Sequence, residues 1–119
     1  MERVSIAEKF SKFSEHWRPK VIAELNGQEL KLVKIRGEFP WHSHEVDELF
    51  LCWRGRFQLE FRDRVVALGP GELIVVPPGV EHRPVAEEEA EILLLEPAGT
   101  RNTGEIVDAA FTAPHGVRI

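Results

Sequence analysis

The stretch GEFPWHSHEVDE, residues 37–48, carries two histidines two positions apart and a glutamate four positions after the second one. A second stretch, GELIVVPPGVEH at residues 71–82, ends on a third histidine. Together His42, His44, Glu48 and His82 supply three imidazoles and one carboxylate. This donor set suits a borderline divalent transition metal better than magnesium or calcium, which prefer oxygen ligands alone. The two stretches therefore predict a metal site.

Strand geometry explains how these residues could meet. Side chains two apart on a strand share a face, so His42 and His44 are predicted to point toward one centre. Four extended residues would place Glu48 about 13 Å from His44, too far to share an ion. We therefore predict a three-residue hairpin loop at residues 45–47 that puts Glu48 across from His44. The turn Pro77-Pro78-Gly79 is predicted to bring His82 beside them.

The remaining pattern is typical of a β-barrel. Phe57, Leu59 and Phe61 alternate with polar residues, which indicates a strand with one buried face. The dipeptide Asn26-Gly27 favours a type I′ hairpin turn between two strands. Residues 87–91, which are rich in glutamate, are predicted to form a charged loop. Short strands and frequent turns predict an all-β fold, a closed antiparallel barrel or jelly roll. Its strands are expected at residues 21–25, 29–36, 49–53, 57–61, 73–76 and 92–95.

The N-terminal residues predict a short helix. Ser5-Ile-Ala-Glu8 has the form of a capping box, and Phe10, Phe13 and Trp17 follow at helical spacing. Pro19 is expected to end this helix, which would pack over the barrel. The chain is thus predicted to comprise a helical segment at 1–20, a barrel at 21–98 and a C-terminal extension of the same domain at 99–119.

The two histidine-bearing stretches resemble the paired signature motifs of the cupin family of small β-barrels. All four ligand positions of the family pattern are matched, by His42, His44, Glu48 and His82. The spacing between Gly37 and His42 is one residue shorter than in the family, and Ala86 stands where the family has asparagine. The resemblance implies a cupin-type barrel with one divalent transition metal ion per chain, which could be iron, manganese, zinc or nickel. It also makes a homodimer an expectation.

Composition limits the remaining possibilities. A chain of 119 residues has room for one hydrophobic core. The net charge of −5 gives no electrostatic reason to bind nucleic acid or a membrane surface. No apolar run approaches the roughly 18 residues of a membrane span. The single cysteine, Cys52, cannot form an intrachain disulfide, which fits a cytoplasmic protein.

Apolar residues near the motifs suggest both a pocket and an interface. Phe39, Trp41, Phe50 and Cys52 are predicted to line a pocket for a small-molecule ligand or substrate, although ordinary barrel core explains the aromatic residues equally well. The other face of the strand at residues 49–53 carries Leu49, Leu51 and Trp53. An apolar face of this kind needs a cover, and we expect a second copy of the chain.

Fold and metal together do not define the reaction. The leading hypothesis is a small metalloenzyme of the dioxygenase type, in which iron or manganese activates O₂ and an organic substrate. A second hypothesis is a sugar isomerase resembling phosphomannose isomerase, although no additional base can be identified in the sequence. A third is a binding protein that senses a small molecule or metal without turnover.

Overall fold

The computed structural model describes residues 1–104, 108–114 and 116–119. Within this part of the chain, one short helix precedes seven strands, and every strand pairing is antiparallel. The predicted all-β, antiparallel fold with a short N-terminal helix is therefore confirmed. The elements are α1 (Ile6–Phe10), β1 (Lys20–Leu25), β2 (Gln28–Glu38), β3 (Glu48–Arg54), β4 (Phe57–Phe61), β5 (Val65–Leu68), β6 (Leu73–Val76) and β7 (His82–Pro97).

Strand β7 belongs to two groups of paired strands, one with β4 and β5 and the other with β2 and β3. Its first residues, His82–Val85, pair with β4, which also pairs with β5. Further along, β7 pairs with both β2 and β3, in the strand order β1-β2-β7-β3-β6. Because one strand takes part in both groups, the inward-facing side chains of both groups share a single core. That core contains Val33, Ile35, Phe50, Leu59 and Ile92.

The predicted charged loop at residues 87–91 is wrong, because these residues lie within β7. Ala86 pairs with Gly37 and Ala90 pairs with Ile35, so three residues of β7 face a single residue of β2. Such a bulge lets a strand continue while local pairing is lost. The three glutamates at residues 87–89 are all exposed there, whereas Ala86 and Ala90 are buried. The charge pattern reflects a solvated bulge rather than a loop.

Helix α1 is shorter than predicted. Ser5 caps it by accepting a hydrogen bond from the backbone N–H of Glu8, at 3.2 Å. The helix ends at Phe10, whose ring packs on the outer face of the sheet against Leu32 and Leu93. Trp17 has φ +64°, which no α-helix permits, so the expected helix reaching Pro19 is wrong. An isolated helix of that length is only marginally stable in water. The three aromatic rings do not share one surface: Phe10 and Phe13 pack in the outer cluster, whereas Trp17 packs against the barrel core.

Strand β3 has the two faces expected from its alternation. Glu48, Phe50 and Cys52 are buried in the barrel, and Leu51 packs on the outside against the cluster that contains Phe10. Trp53 remains 41% exposed on this outer side. The neighbouring edge strand β6 adds two exposed apolar residues to the same surface, Leu73 and Val75. Helix α1 therefore covers only part of the outer face.

The C-terminal residues return to the barrel. The amide of Val21 donates to the carbonyl of Val117 at 2.7 Å, which ties the end of the chain to β1. Before that, residues 99–104 and 108–114, here named the C-terminal cover, lie over one end of the barrel. Phe111 of the cover packs against Trp17 and Phe39. None of the described helical residues forms a segment long and apolar enough to cross a membrane.

Candidate metal centre

The four predicted ligands meet at the end of the barrel that lies under the C-terminal cover. His42 and His82 exchange backbone hydrogen bonds of 3.0 and 2.9 Å, while Glu48 begins β3 and His82 begins β7. All four side chains are buried, and their candidate ligand atoms lie within 4.8 Å of one another. The structure therefore places His42, His44, Glu48 and His82 in a single cluster that could hold a metal ion.

The loop between His44 and Glu48 brings their side chains together, but not as a hairpin ladder. Oε1 of Glu48 lies 3.3 Å from Nε2 of His44 and 3.2 Å from Nε2 of His82. On the backbone, however, Glu48 pairs with Val76 of β6. The predicted pairing of Glu48 with His44 is therefore wrong, because β6 occupies the position beside β3. The short loop still delivers the carboxylate to the histidines.

The turn at Pro77-Pro78-Gly79 supports the first histidine pair directly. The amide of Gly79 donates to the carbonyl of His44 at 2.8 Å. Gly79 has φ +79°, a conformation that residues with a side chain rarely adopt. The turn thus holds the backbone of His44 in addition to leading the chain to His82.

Backbone carbonyls fix the orientation of two imidazoles. Nδ1 of His42 lies 2.9 Å from the carbonyl of Pro40, and Nδ1 of His82 lies 2.8 Å from the carbonyl of Val80. A carbonyl only accepts hydrogen bonds, so both Nδ1 atoms carry the proton and both Nε2 atoms present a lone pair. This is the arrangement in which metal-bound histidines are usually held.

His44 provides an independent indication of a cation site. Its Nε2 is buried and makes no well-formed hydrogen bond with the described residues, and the nearest charged atom is Oε1 of Glu48, 3.3 Å away. Leaving a buried polar atom without a partner costs free energy, on the order of 1–3 kcal/mol. A metal ion at the centre of the cluster would satisfy this atom, so the residues present fit a bound metal.

Burial sets the protonation states that metal binding needs. Desolvation, followed by the nearby His82, lowers the pKa of His42 from 6.5 to about 4. His42 is therefore neutral near pH 7, as a ligand must be. Burial tends to raise the pKa of Glu48, but the contacts of its carboxylate with His44, His82 and Glu96 outweigh burial and hold that pKa well below its usual range. The carboxylate is ionised and available to a cation.

The sequence interpretation missed Glu96, which lies next to Glu48. Leu49 pairs with Leu95 across β3 and β7, so the following position places Glu96 beside Glu48. Glu96 is fully buried, and Nζ of Lys31 donates to its Oε1 at 3.0 Å. Burial, followed by the charge of Glu48, raises the pKa of Glu96 well above its usual range. Strand parity could have found it, since Glu96 continues the inward face of Ile92 and Leu94.

A small cavity of about 30 Å³ adjoins the metal ligands. This is room for one or two water molecules. Phe39 and Phe50, both predicted pocket residues, line the cavity, and so do two residues that the sequence interpretation missed for this role, Trp17 and Asn102. The other lining residues are His42, Glu48, Pro19, Val33, Ile35, Pro84, Ile92 and Leu94. The wall is thus mainly apolar.

Trp41 and Cys52 are not among the described residues that line this cavity. The ring of Trp41 instead lies against the guanidinium group of Arg62, at 3.9 Å. Cys52 faces the barrel core further along β3, where its thiol donates to the carbonyl of Gly55 at 3.5 Å. Burial raises the pKa of this thiol, which disfavours a reactive thiolate.

Solved structures of other proteins share this fold. A cupin-2 domain containing protein from Shewanella frigidimarina NCIMB 400 is 48% identical, with a TM-score of 0.78 over 79% of this chain and 93% of that one. Protein NMB1881 from Neisseria meningitidis is 28% identical, with a TM-score of 0.75 over 82% of this chain and 100% of that one. Hydroquinone 1,2-dioxygenase from Sphingomonas sp. TTNP3, solved with 4-hydroxybenzoate bound, is 13% identical, with a TM-score of 0.67 over 89% of this chain and 72% of that one. This last likeness shows the fold alone.

Sequence comparison gives the same assignment. The uncharacterized protein YdbB of Bacillus subtilis (strain 168) is 29% identical over 103 residues, which cover 76% of this chain and 85% of YdbB. A family model described as a cupin domain matches residues 30–96, more than half of the chain, and this range contains all four candidate ligands. The chain therefore belongs to the cupin domain family.

Proposed function

We propose that this protein binds one divalent transition metal ion through His42, His44, Glu48 and His82, and that it is a small metalloenzyme of the dioxygenase type. The observation that carries the metal site is the convergence of four buried donor groups whose ligand atoms lie within 4.8 Å of one another, including a His44 Nε2 that makes no well-formed hydrogen bond in the described chain. The Nδ1 protons of His42 and His82 support it, because they leave the Nε2 atom of each ring with a lone pair that a metal could accept.

Four protein ligands leave coordination positions for other molecules. Structural zinc sites in small proteins are usually closed by cysteine and saturated, whereas catalytic metals keep a position open. The chemistry that iron or manganese supplies in such a site is the activation of O₂ toward an organic substrate. The protein's part is to hold three neutral imidazoles and one ionised carboxylate, and to exclude bulk water with an apolar wall.

The lining of the cavity favours this proposal over sugar isomerisation. A sugar substrate requires several polar partners for its hydroxyl groups, since unpaired polar groups are costly when buried. Apart from the ligands themselves and the indole N–H of Trp17, which donates to the carbonyl of Arg36, Asn102 is the only polar side chain among the described residues that line the cavity. Its hydrogen bonds are already made to backbone atoms of the protein. The composition of the wall therefore favours a substrate with a largely apolar surface.

Oxygen consumption tests the enzymatic part of the proposal. Protein reconstituted separately with iron and with manganese would be mixed with a panel of small phenols, sugars and sugar phosphates, while an electrode follows O₂. We expect O₂ uptake with at least one apolar substrate, abolished in His82→Ala and retained in His16→Ala. His16 is a suitable control because its Nε2 contacts Oε2 of Glu89 on the surface, at 3.0 Å, away from the cluster. O₂ uptake that persists in His82→Ala would reject the assignment.

We also propose that two copies of the chain associate through the outer face of β3 and β6. Trp53, Leu73 and Val75 are exposed there, with relative exposures of 41%, 54% and 49%. Strand β6 lies at the end of the sheet, so its outer edge pairs with no other strand among the described residues and can accept a strand from another chain. Such a surface is most often closed by a two-fold axis between identical chains.

A further inference from the structure

We propose that Glu96 is a positioning residue for the metal centre: held by Lys31, it orients the carboxylate of Glu48 so that Oε1 of Glu48 faces the three imidazoles. This inference rests on the proposed metal site and is independent of the proposed dioxygenase activity. It gives a role to a buried residue that contacts a ligand and is not itself a ligand.

Three buried glutamates lie side by side on three neighbouring strands. Glu29 of β2 pairs directly with Glu96 of β7. Leu95 of β7 pairs with Leu49 of β3, so the next position in the same antiparallel register places Glu96 opposite Glu48. Residues opposite each other on neighbouring strands have Cβ atoms about 4.5–5.5 Å apart. Glu29, Glu96 and Glu48, here named the carboxylate row, therefore form a line of acidic side chains that ends at a metal ligand.

The fold alone does not account for the carboxylate row. Its three members, Glu29, Glu48 and Glu96, are only 4%, 3% and 0% exposed. Like charges opposite each other destabilise a sheet, and burying a charge costs free energy because the charge loses its hydration. The preceding inward positions of β7 are the apolar residues Ile92 and Leu94. An apolar residue at position 96 would continue that face and suit the barrel at least as well.

One ammonium group anchors the middle of the row. Nζ of Lys31 lies 3.0 Å from Oε1 of Glu96 and 3.8 Å from Oε1 of Glu29. Lys31 is itself buried, and it also donates to the carbonyl of Thr100 at 3.4 Å. Glu29 has a second cationic partner, because a guanidinium nitrogen of Arg118 lies 3.4 Å from its Oε2. The shortest contact of Lys31 within the row is therefore with Glu96, and it fixes one oxygen of that residue.

The other side of Glu96 meets the metal ligand. Oε2 of Glu96 is buried and makes no well-formed hydrogen bond with the described residues, and the carboxyl groups of Glu96 and Glu48 are in contact. On Glu48, Oε1 is the oxygen that lies 3.3 Å from Nε2 of His44 and 3.2 Å from Nε2 of His82. The last torsion of a glutamate side chain is broad, so a carboxylate needs an outside contact to hold one orientation. Contacts of this kind change metal affinity by roughly 10–100-fold.

A second lysine–glutamate pair joins the same two strands and provides a matched control. Nζ of Lys34 in β2 lies 3.9 Å from Oε2 of Glu91 in β7. The two side chains are only 13% and 12% exposed, so this pair is also largely buried. Neither residue belongs to the group of candidate ligands. Removing this pair makes the same chemical change away from the metal centre.

The first test removes both members of each pair, because removing one would leave a buried charge unpaired. Glu96→Leu/Lys31→Met and Glu91→Leu/Lys34→Met would be titrated with cobalt, and the visible absorption spectrum of bound cobalt recorded at saturation. We expect Glu96→Leu/Lys31→Met to bind cobalt at least about tenfold more weakly than wild type and to give an altered spectrum. Glu91→Leu/Lys34→Met should match wild type in both respects. Wild-type affinity and spectrum in Glu96→Leu/Lys31→Met would overturn the proposal.

Urea unfolding of the metal-free proteins separates positioning from a structural role. Well-packed apolar residues often replace a buried ion pair without loss of stability. We therefore expect Glu96→Leu/Lys31→Met to unfold at a urea midpoint no lower than that of wild type. Weak cobalt binding by a protein of undiminished stability cannot be explained by a damaged barrel. A lowered midpoint together with an unchanged cobalt spectrum would assign the pair to the fold alone and count against the proposal.

A milder pair of variants tests the anchor without changing the volume at position 96. Glu96→Gln keeps an acceptor for Lys31 and a hydrogen-bonding group beside Glu48, so it should retain nearly the wild-type cobalt affinity and spectrum. Glu96→Gln/Lys31→Met lacks the anchor and should bind cobalt several-fold more weakly than Glu96→Gln. Equal affinities in these two variants would refute the role of Lys31. A loss in Glu96→Gln as large as in Glu96→Leu/Lys31→Met would refute orientation by contact.

Cobalt binding requires no turnover, so the failures of the separate proposals can be told apart. A wild type that binds no cobalt would reject the metal site and this inference together. Tight binding by wild type with equal binding by Glu96→Leu/Lys31→Met would reject this inference alone. The predicted loss of cobalt affinity, in a protein that shows no O₂ uptake with any substrate, would reject the proposed enzyme and support Glu96 as a positioning residue.

Discussion

Acid should destabilise the metal-free protein, and His42 should account for a defined share of the loss. In the folded chain the pKa of His42 is lowered from 6.5 to about 4, because burial and the neighbouring His82 disfavour the imidazolium. In the unfolded chain His42 regains its ordinary pKa. As the pH falls through 6.5, the unfolded state takes up a proton that the folded state does not. The stability contributed by neutral His42 is thus present above pH 6.5 and lost between about 6.5 and 4.

The size of this effect follows from the two pKa values. Each unit of difference corresponds to about 1.4 kcal/mol, so the full change approaches about 3 kcal/mol in the free energy of unfolding. Other groups near the site titrate as well. The raised pKa of Glu96 makes the folded state gain stability as the pH falls, which opposes the effect of His42. The quantity to measure is therefore the difference in the free energy of unfolding, as a function of pH, between wild type and a variant that lacks His42.

Urea unfolding of the metal-free protein at pH 7, 6, 5 and 4.5 supplies that difference. His42→Asn retains a donor for the carbonyl of Pro40 and cannot titrate, while His16→Asn is the matched control away from the cluster. Wild type and His16→Asn should lose about 2 kcal/mol more than His42→Asn between pH 7 and 4.5. Parallel curves for wild type and His42→Asn would refute the reasoning about burial.

Three further predictions concern the turn, the interface and the core. Gly79→Val should weaken metal affinity, because valine tolerates φ +79° poorly and the Gly79 amide supports the backbone of His44. Titration with cobalt measures that affinity. Gly99→Val is the control, since Gly99 has φ +86° and no other atom lies close to the position of an added side-chain carbon. Unchanged cobalt affinity would show that the turn does not position His44. Trp53→Glu should shift a dimer toward monomer in sedimentation, and a wild type that is already monomeric at micromolar concentration would contradict the proposed interface. Leu59→Ala should cost about 2–5 kcal/mol of stability, since Leu59 is fully buried in the core; a loss below about 1 kcal/mol in urea unfolding would contradict its place there.

The sequence predicted the cluster well because its spacing has geometric consequences. His42 and His44 are two positions apart and therefore share one face of an extended chain. Only a tight loop can then bring Glu48 back to them. The Asn26-Gly27 turn was equally readable, and both residues have positive φ, at 52° and 77°. In each case the information lies within a few neighbouring residues.

Other features depend on contacts that are distant along the chain. Residues 87–89 looked like a loop because their charges are exposed, yet their backbone continues a strand whose partner lies some fifty residues earlier. Trp17 fitted a helical stripe, but its ring packs against Phe39 and Phe111. Glu96 lies one residue beyond the strand predicted at residues 92–95, and the pairing of β7 with β3 places it beside Glu48. Local periodicity cannot encode these long-range pairings.

Metal content is the most direct test of the central claim. Wild-type protein, the His16→Ala control and the His42→Ala/His44→Ala double variant would be purified identically, incubated with iron, manganese, zinc or nickel, and freed of excess metal. Elemental analysis should give about one equivalent of at least one of these metals in wild type and control, and little in the double variant. One full equivalent in the double variant would contradict the assignment of the site.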